Sequence, residues 1–404
     1  MMKKIGLLSV AVSALLHAGG YKIPENSLNS MALSAAYVAN AHGADASYFN
    51  PANMAFDNKH MLELDMTYIA LGSIDFDGQV GDTAMSAGSK SEAFLVPSMH
   101  YVAPKYGDVT LGFSIVVPGG LSKRWNEQPA RSYAKEFTLQ VVELNPTIAY
   151  KLSDSVAVGG GLRLVQSSGV VKSQSTASRD MQGDSIDYGY NLAISYRPSS
   201  QYSFAATYRS NVDLSEVGTA QLYFPDNADY SGDKVYDGDV EVTVPLPATL
   251  ALAAAYHFES GTTVEVVYER AFWSAYKELD FDYEGAIGAL KPNFDDPIEK
   301  KWNDTNTYRL GVTQTYENWT AMAGIGYDET PVPEERLSFE LPDSDAWIVS
   351  MGGRYSVNEH WDVGLAALLD IKTDRNIDNN TIGIDGEFSD GRAYLITLGA
   401  GYTF

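Results

Sequence analysis

The sequence predicts an all-β protein, a transmembrane antiparallel β-barrel of about 14 strands with a compact N-terminal hatch, or plug, in its lumen. Three observations carry this. Segment after segment alternates with a two-residue period and keeps one face apolar. The connections between these segments alternate short and long. After the signal-like N-terminus no stretch has the apolar length of a membrane helix, which excludes a helical bundle.

Taken in order, Met1 to Ala18 carries Lys3 and Lys4, an apolar run from Ile5 to Leu16, and then Leu16-His17-Ala18. This is the layout of a secretory signal with cleavage after Ala18. The next stretch, Gly19 to Phe56, is rich in small residues and unlike everything after it. Ser30 is an N-cap type ahead of a helix spanning Met31 to Ala39, which stops at Asn40. A second small-residue run, Ala44 to Ser47, leads into Tyr48-Phe49-Asn50-Pro51-Ala52-Asn53. There Pro51 pushes Asn50 toward an extended conformation and closes off any helix. The expected division is a signal peptide over 1–18, a hatch over 19–58 and a barrel over 59–404.

The strand pattern is clearest at the C-terminus. Phe404, Tyr402, Ala400, Leu398, Ile396 and Tyr394 share one apolar face, opposite the mostly small or polar Thr403, Gly401, Gly399, Thr397, Leu395 and Ala393. The same period recurs at Tyr202–Tyr208, Leu250–Phe258, Trp347–Tyr355 and Trp361–Leu369. In a soluble sandwich such faces pack against a second sheet; in a barrel they face lipid. The connections decide between the two. Short ones fall at Pro104–Asp108, Leu152–Ser155, Arg197–Gln201, Phe258–Gly261, Tyr316–Trp319 and Ser356–His360. Long ones fall at Ser73–Ser91, Gly119–Lys135, Gln174–Asp184, Leu214–Asp239, Asp280–Trp302, Pro331–Asp343 and Thr373–Phe388. Short turns at one end and long loops at the other are the asymmetry of an outer-membrane barrel with both termini periplasmic.

Composition agrees. The 404 residues include 26 Tyr and 35 Gly, which suits strands with aromatic girdles at two water interfaces. Cysteine is absent, so no disulfide, thiol nucleophile or cysteine metal site exists. A net charge of −24 argues against nucleic acid as a partner. No catalytic residue, metal or cofactor is expected. The six histidines show no ligand spacing, and no Gly-x-Ser-x-Gly elbow or phosphate loop occurs. Asn227-x-Asp229-x-Ser231-Gly232 starts like a calcium loop, but Gly238 stands where a bidentate Glu is needed. A hydrolase assembled from distant strands is beyond what sequence pattern reveals. A barrel of this size would leak unless something filled it, so hatch plus barrel implies selective passage. A general or ion-selective porin, or a structural or adhesive barrel, are the alternatives.

Several stretches together carry a family resemblance: Ala18-Gly19-Gly20-Tyr21, Asn50-Pro51-Ala52, Val96-Pro97-Ser98-Met99-His100-Tyr101-Val102-Ala103-Pro104, and Gly324-Ile325-Gly326-Tyr327-Asp328-Glu329-Thr330-Pro331-Val332-Pro333 followed by Leu341-Pro342-Asp343. In this order, on this strand layout, the chain resembles the FadL/TodX family of outer-membrane transporters of long-chain fatty acids and other hydrophobic compounds. The resemblance implies a ligand-binding role for Tyr21, which would reach an interior pocket. It also implies a gating role for Asn50, Pro51 and Ala52 in the hatch. A lateral opening is implied where Pro118, Gly119 and Gly120 would kink the third strand inward; a strand ending in a turn is the plainer alternative there. For an acidic head group the resemblance points to Lys300 and, one residue out of register, to Lys172 beside Ser173. That offset leaves a neutral hydrocarbon or aromatic substrate open. The partners it implies are a hydrophobic small molecule (fatty acid, hydrocarbon or detergent) and outer-membrane lipid and lipopolysaccharide, with the protein a monomer.

Overall fold

A computed structural model describes residues 19–224 and 233–404; the signal-like segment and the calcium-like loop of the sequence lie largely outside these residues. Fourteen antiparallel strands close into a ring. They are β1 (Met61–Leu71), β2 (Glu92–Val102), β3 (Val109–Lys123), β4 (Glu136–Lys151), β5 (Val156–Ser173) and β6 (Ser178–Tyr196). Next come β7 in two pieces (Tyr202–Arg209 and Val212–Tyr223) and β8 in two pieces (Lys234–Leu246 and Thr249–His257). The ring continues with β9 (Thr262–Ala271), β10 (Thr305–Thr315), β11 (Trp319–Asp328), β12 (Ala346–Ser356), β13 (Trp361–Lys372) and β14 (Arg392–Thr403). Closure is made by β1 against β14, from Met61 opposite Thr403 to Leu71 opposite Ala393. Closing the sheet on itself removes its edges, except where β2 and β3 part company.

The apolar faces read from the sequence point outward. Leu398 is 62% exposed and Met351 68%, whereas their inward neighbours Leu395 and Ser350 are buried. Aromatic side chains gather in bands on this outer face. Tyr268 packs on Tyr308, Tyr327 on Trp347, and toward the short-turn end Trp361 and Phe404 pack on Tyr402. Such girdles anchor a barrel at its two interfaces.

Two of the expected long loops are mostly strand. Val217 pairs with Asp184 and Tyr223 with Ser178, so β6 and β7 run on above the membrane band. The sequence hides this because the outward residues there, such as Asp180, Gln182 and Asp184, are as polar as loop residues once both faces of the extension meet water or protein. The other long connections build a cap. Residues Asp75–Val80, Thr83–Gly88, Arg375–Ile377 and Ile384–Ser389 form a four-stranded sheet at the long-loop end. Its buried Phe76 and Phe388 pack on Phe339. This places a second apolar core above the ring.

The N-terminal segment is buried among the strands. A short helix, Leu28–Ala32, packs against β11 to β14, and a 3-10 helix, Pro51–Phe56, packs against β3 to β6. The helix starts earlier than expected and is shorter. Ser27, not Ser30, is the N-cap, its hydroxyl accepting from the Ser30 N–H at 3.2 Å. The helix ends because Ser34 and Ala35 adopt φ of 49° and 59°. The Ala35 N–H then reaches the Ser30 carbonyl at 2.8 Å, satisfying a helix-end acceptor. Left-handed geometry at non-glycine residues is unfavourable. Here it follows from the Leu33–Ser34 backbone lying directly on Gly324 of β11, where any side chain would collide. Asn50 takes φ −157° and ψ 87°, outside the helical region but short of fully extended, and Pro51 then opens the 3-10 helix instead of ending helical structure.

Candidate functional site

The first element of the site is a defect in the wall. β2 pairs with β3 only from Met99 opposite Ile115 to Val102 opposite Gly112. Above that level Glu92 to Ser98 have no ladder partner on β3, a stretch of about 20 Å at the usual strand rise. The strand does not end there; it continues to Lys123. Its pairing with β4 slips by one residue between Val116 and Gly119, so β3 carries a bulge at Val117-Pro118. Proline without an N–H and glycine without a side chain tolerate this departure from the ladder. At the top the wall is rejoined by a backbone bond, Lys90 N–H to the Arg124 carbonyl at 2.9 Å, and by side chains: Glu92 accepts from Ser122 Oγ at 2.7 Å and pairs with Arg124.

The orphaned backbone of the bulge is taken up by the N-terminal segment. Ile23 N–H donates to the Pro118 carbonyl at 2.9 Å, Gly120 N–H to the Tyr21 carbonyl at 2.8 Å, and Val117 N–H to Asn26 Oδ1 at 3.0 Å. Lys22 bridges to Gly119. Residues 21–26 thus act as a surrogate strand for the kink, as the demand for paired buried backbone requires. The kink reaches far inward: a Cβ on Gly119 would lie 3.1 Å from Leu246 Cδ1, on the opposite wall.

On an extended chain neighbouring side chains point to opposite sides. Tyr21 and Lys22 accordingly enter different spaces. Tyr21 enters an apolar cleft toward the cap, with about 630 Å³ of free space, part of it open to solvent, lined by Leu121, Leu139, Val244, Phe281 and Trp302 among others. The Tyr21 ring meets Trp273 edge-on at 4.7 Å between centroids, and its hydroxyl donates to the Pro245 carbonyl at 2.5 Å. Lys300 lines the same cleft, but its ammonium is paired with Glu340. Burial alone would push the Glu340 carboxyl up; the Lys300 charge and the Ser338 hydroxyl outweigh it and hold Glu340 below the usual carboxylate range. Lys172 is elsewhere. It lies at the upper end of β5, with Asp180 Oδ2 at 3.3 Å and Glu136 Oε2 at 3.8 Å, and does not line the cleft. The one-residue offset noted in the sequence puts Ser173 inward and buried, and Lys172 half-exposed.

The second space lies below the Tyr21–Gly119 crossing and is charged. Lys22, Arg163, Arg209, Glu269 and Arg309 line it with Pro118. Apart from Pro118, nothing in the sequence pattern marked these residues. Single inward charges on alternate positions of separate strands become a cluster only when the ring closes. Asn50, Pro51 and Ala52 sit beside it. Asn50 Nδ2 donates to Ser195 Oγ at 2.9 Å and to the Val38 carbonyl at 2.8 Å, and Ala52 lies on Gly159 of β5, 2.6 Å from where a Cβ would stand. On the far side Glu265 of β9 accepts from the backbone N–H groups of Val38 at 2.7 Å, Ala39 at 2.6 Å and Asn40 at 3.1 Å. Arg354 of β12 donates to Asn29 Oδ1 at 2.7 Å.

A closed ring, an inward kink fed by the N-terminus and an apolar cleft under a cap suit a membrane transporter. Comparison with known proteins agrees. Residues 9–404 match the family of outer membrane protein transport proteins, OMPP1/FadL/TodX. The chain belongs to the FadL/TodX family. It is 26% identical to a long-chain fatty acid transport protein of Escherichia coli O6:H1, with 98% of each chain covered. It is 23% identical to the protein of that name in Escherichia coli K12, again with 98% of each covered. Among solved structures, a Pseudomonas aeruginosa FadL homologue superposes with a TM-score of 0.80 at 18% identity, covering 96% of this chain and 100% of the other. The Pseudomonas putida toluene transporter TodX gives 0.73 at 17%, covering 94% and 98%. As a FadL/TodX protein, this chain is an outer-membrane transport protein.

Proposed function

We propose that this FadL/TodX protein carries apolar small molecules, long-chain fatty acids or hydrocarbons, from the cell surface into the outer membrane. The molecule enters beneath the cap, is held in the cleft around Tyr21, and leaves sideways through the wall at Pro118-Gly119-Gly120. Residues 19–56 act as the hatch that blocks the axial path. The unpaired stretch of wall between β2 and β3 is the observation that carries this reading. Axial exit would return a twelve-carbon chain to water at about 0.8 kcal/mol per CH₂, close to 10 kcal/mol in all. Sideways exit into lipid avoids nearly all of that cost. Because residues 21–26 pair with the kink, displacement of Tyr21 by an incoming ligand also loosens the backbone at the opening.

The extra residue of the bulge supplies the test. Deleting Pro118 restores one-to-one pairing of β3 with β4 and straightens the strand against β2. Uptake of a radiolabelled fatty acid or alkane by cells lacking other routes should fall at least tenfold, while heat-resistant barrel mobility on gels is kept. Undiminished uptake by a correctly folded deletion would rule out the lateral route.

A further inference from the structure

The side chain of Tyr21 occupies a place shaped for one aromatic ring. Trp302 packs on Trp273 at 4.9 Å and on Tyr276 at 4.8 Å between centroids. Tyr21 lies against all three, at 4.7 Å from Trp273, 5.8 Å from Trp302 and 6.5 Å from Tyr276. Edge-on contacts of this kind are favoured between aromatic rings. Gly20, in the left-handed region at φ 78°, lies on both indoles too closely for a side chain. All four rings are buried. The Tyr21 hydroxyl completes the fit by donating to the Pro245 carbonyl, itself buried. Burial, with Tyr276 and Glu216 near, pushes that hydroxyl well above its ordinary range, so it remains a donor.

Tyr21, Tyr276 and Trp302 also line the apolar cleft, so a molecule held there meets this cradle directly. Whatever displaces the Tyr21 ring inherits three aromatic neighbours and one carbonyl. A hydrocarbon fills the ring place but deprives the buried carbonyl of its donor, which is costly. A phenol restores both contacts. A carboxylate fares worse, because the cations of the lining, Lys300 and Arg336, are taken by Glu340 and Glu299, and Glu216 adds a further acid.

We infer that Tyr21 is a built-in stand-in for the ligand, and that the cleft prefers phenols: one aromatic ring with a hydroxyl donor and a small apolar group opposite it, where tyrosine carries its Cβ. The inference rests on the transport reading above and names a substrate class within it. Sites that hydrogen-bond a substrate hydroxyl discriminate strongly against the analogue that lacks it.

The side chain of tyrosine is para-cresol, and that of phenylalanine is toluene, which sets the test. Equilibrium dialysis at pH 7, where a phenol is neutral, measures binding of radiolabelled para-cresol, toluene and dodecane to the full-length barrel in nanodiscs, less binding to empty nanodiscs. The phenol should bind about tenfold more tightly than toluene. Because Tyr21 competes with the ligand, Tyr21→Phe, which keeps the ring and loses the hydroxyl bond, should strengthen phenol binding several-fold. Tyr21→Ala, which vacates the place, should strengthen it about tenfold. A residue that merely touched the ligand would have the opposite effect. The backbone bond of Tyr21 to Gly120 survives both changes, and heat-resistant mobility on gels checks the fold. Toluene bound as tightly as the phenol, or phenol binding weakened in Tyr21→Ala, overturns the inference. If dodecane alone binds, the transport reading stands and the phenol class falls; if none of the three binds, both fall. In a second measurement, crystals of Tyr21→Ala soaked with para-bromophenol should show a bromine anomalous peak in the vacated place beside Trp273 and Trp302. A peak elsewhere, or none, overturns the assignment.

Discussion

At the scale of single residues, Glu265 illustrates how a wall strand holds the segment inside it. Its carboxylate collects three successive backbone N–H groups, from Val38, Ala39 and Asn40, where the chain is in no helix or sheet that could satisfy them. Leaving a buried donor without a partner costs about 1–3 kcal/mol. Glu265→Ala orphans three at once, so the hatch should loosen by several kcal/mol while the ladder of β9 stays intact. Single-channel recording in planar bilayers should show frequent open events in Glu265→Ala and few in the unmodified protein; equal conductance would assign Glu265 no such role. Alternation along β9 puts Glu265 on the inward face, with Val264 and Val266 flanking it on the outer one. That pattern gave no hint of what the carboxylate would meet, because the three donors lie more than two hundred residues away.

At the scale of elements, legibility follows period. Strands whose outer face is lipid advertise themselves, and β14 was readable residue by residue. The upper parts of β6, β7 and β8 leave the lipid, lose the alternation and pass for loops. The interruptions at Ser210-Asn211 and Pro247-Ala248 escaped notice for the same reason, although Pro247 alone marks a break in the ladder. The N-terminal segment was legible as a compact small-residue unit, yet its helix starts three residues earlier than expected and ends seven earlier. The decisive contact there, the Leu33–Ser34 backbone on Gly324, joins two distant parts of the chain. Removing Asn50 to Ala52 tests the element as a gate. The deletion takes away the bonds of Asn50 to Ser195 and Val38 and the contact with Gly159, but no pair of the ladder. We expect altered uptake and unchanged heat-resistant mobility on gels; loss of that mobility would mean that the hatch is needed to hold the barrel together.

At the scale of the whole molecule, the ring is closed by the pairing of β14 with β1. Phe404 marks the end of that seam: its N–H donates to the His60 carbonyl at 3.0 Å, and its ring stacks on His60 at 3.8 Å. Its outward exposure of 57% shows that the ring is otherwise offered to lipid or to an assembly partner. Deleting Phe404 should lower the folded protein recovered in outer membranes severalfold while secretion across the inner membrane proceeds, as measured by fractionation and protease protection. Normal outer-membrane levels would show that the seam closes without it. Closure and strand count were legible at this scale because they follow from counting connections. The division of the lumen into an apolar and a charged space was not, since it depends on a kink crossing to touch Leu246 on the opposite wall.

The glycines that face the N-terminal segment have a mechanical consequence. Ala52 presses on Gly159, Ala36 on Gly311, the Leu33 backbone on Gly324 and Ala32 on Gly352, each too closely for a side chain to stand between. These contacts are spread around the circumference, so the wall is a cast taken from the piece it encloses. A body seated in its own mould can neither rotate nor slide without lifting over every rim at once. Axial movement of residues 19–56 would therefore have to undo these contacts, all together or a few residues at a time.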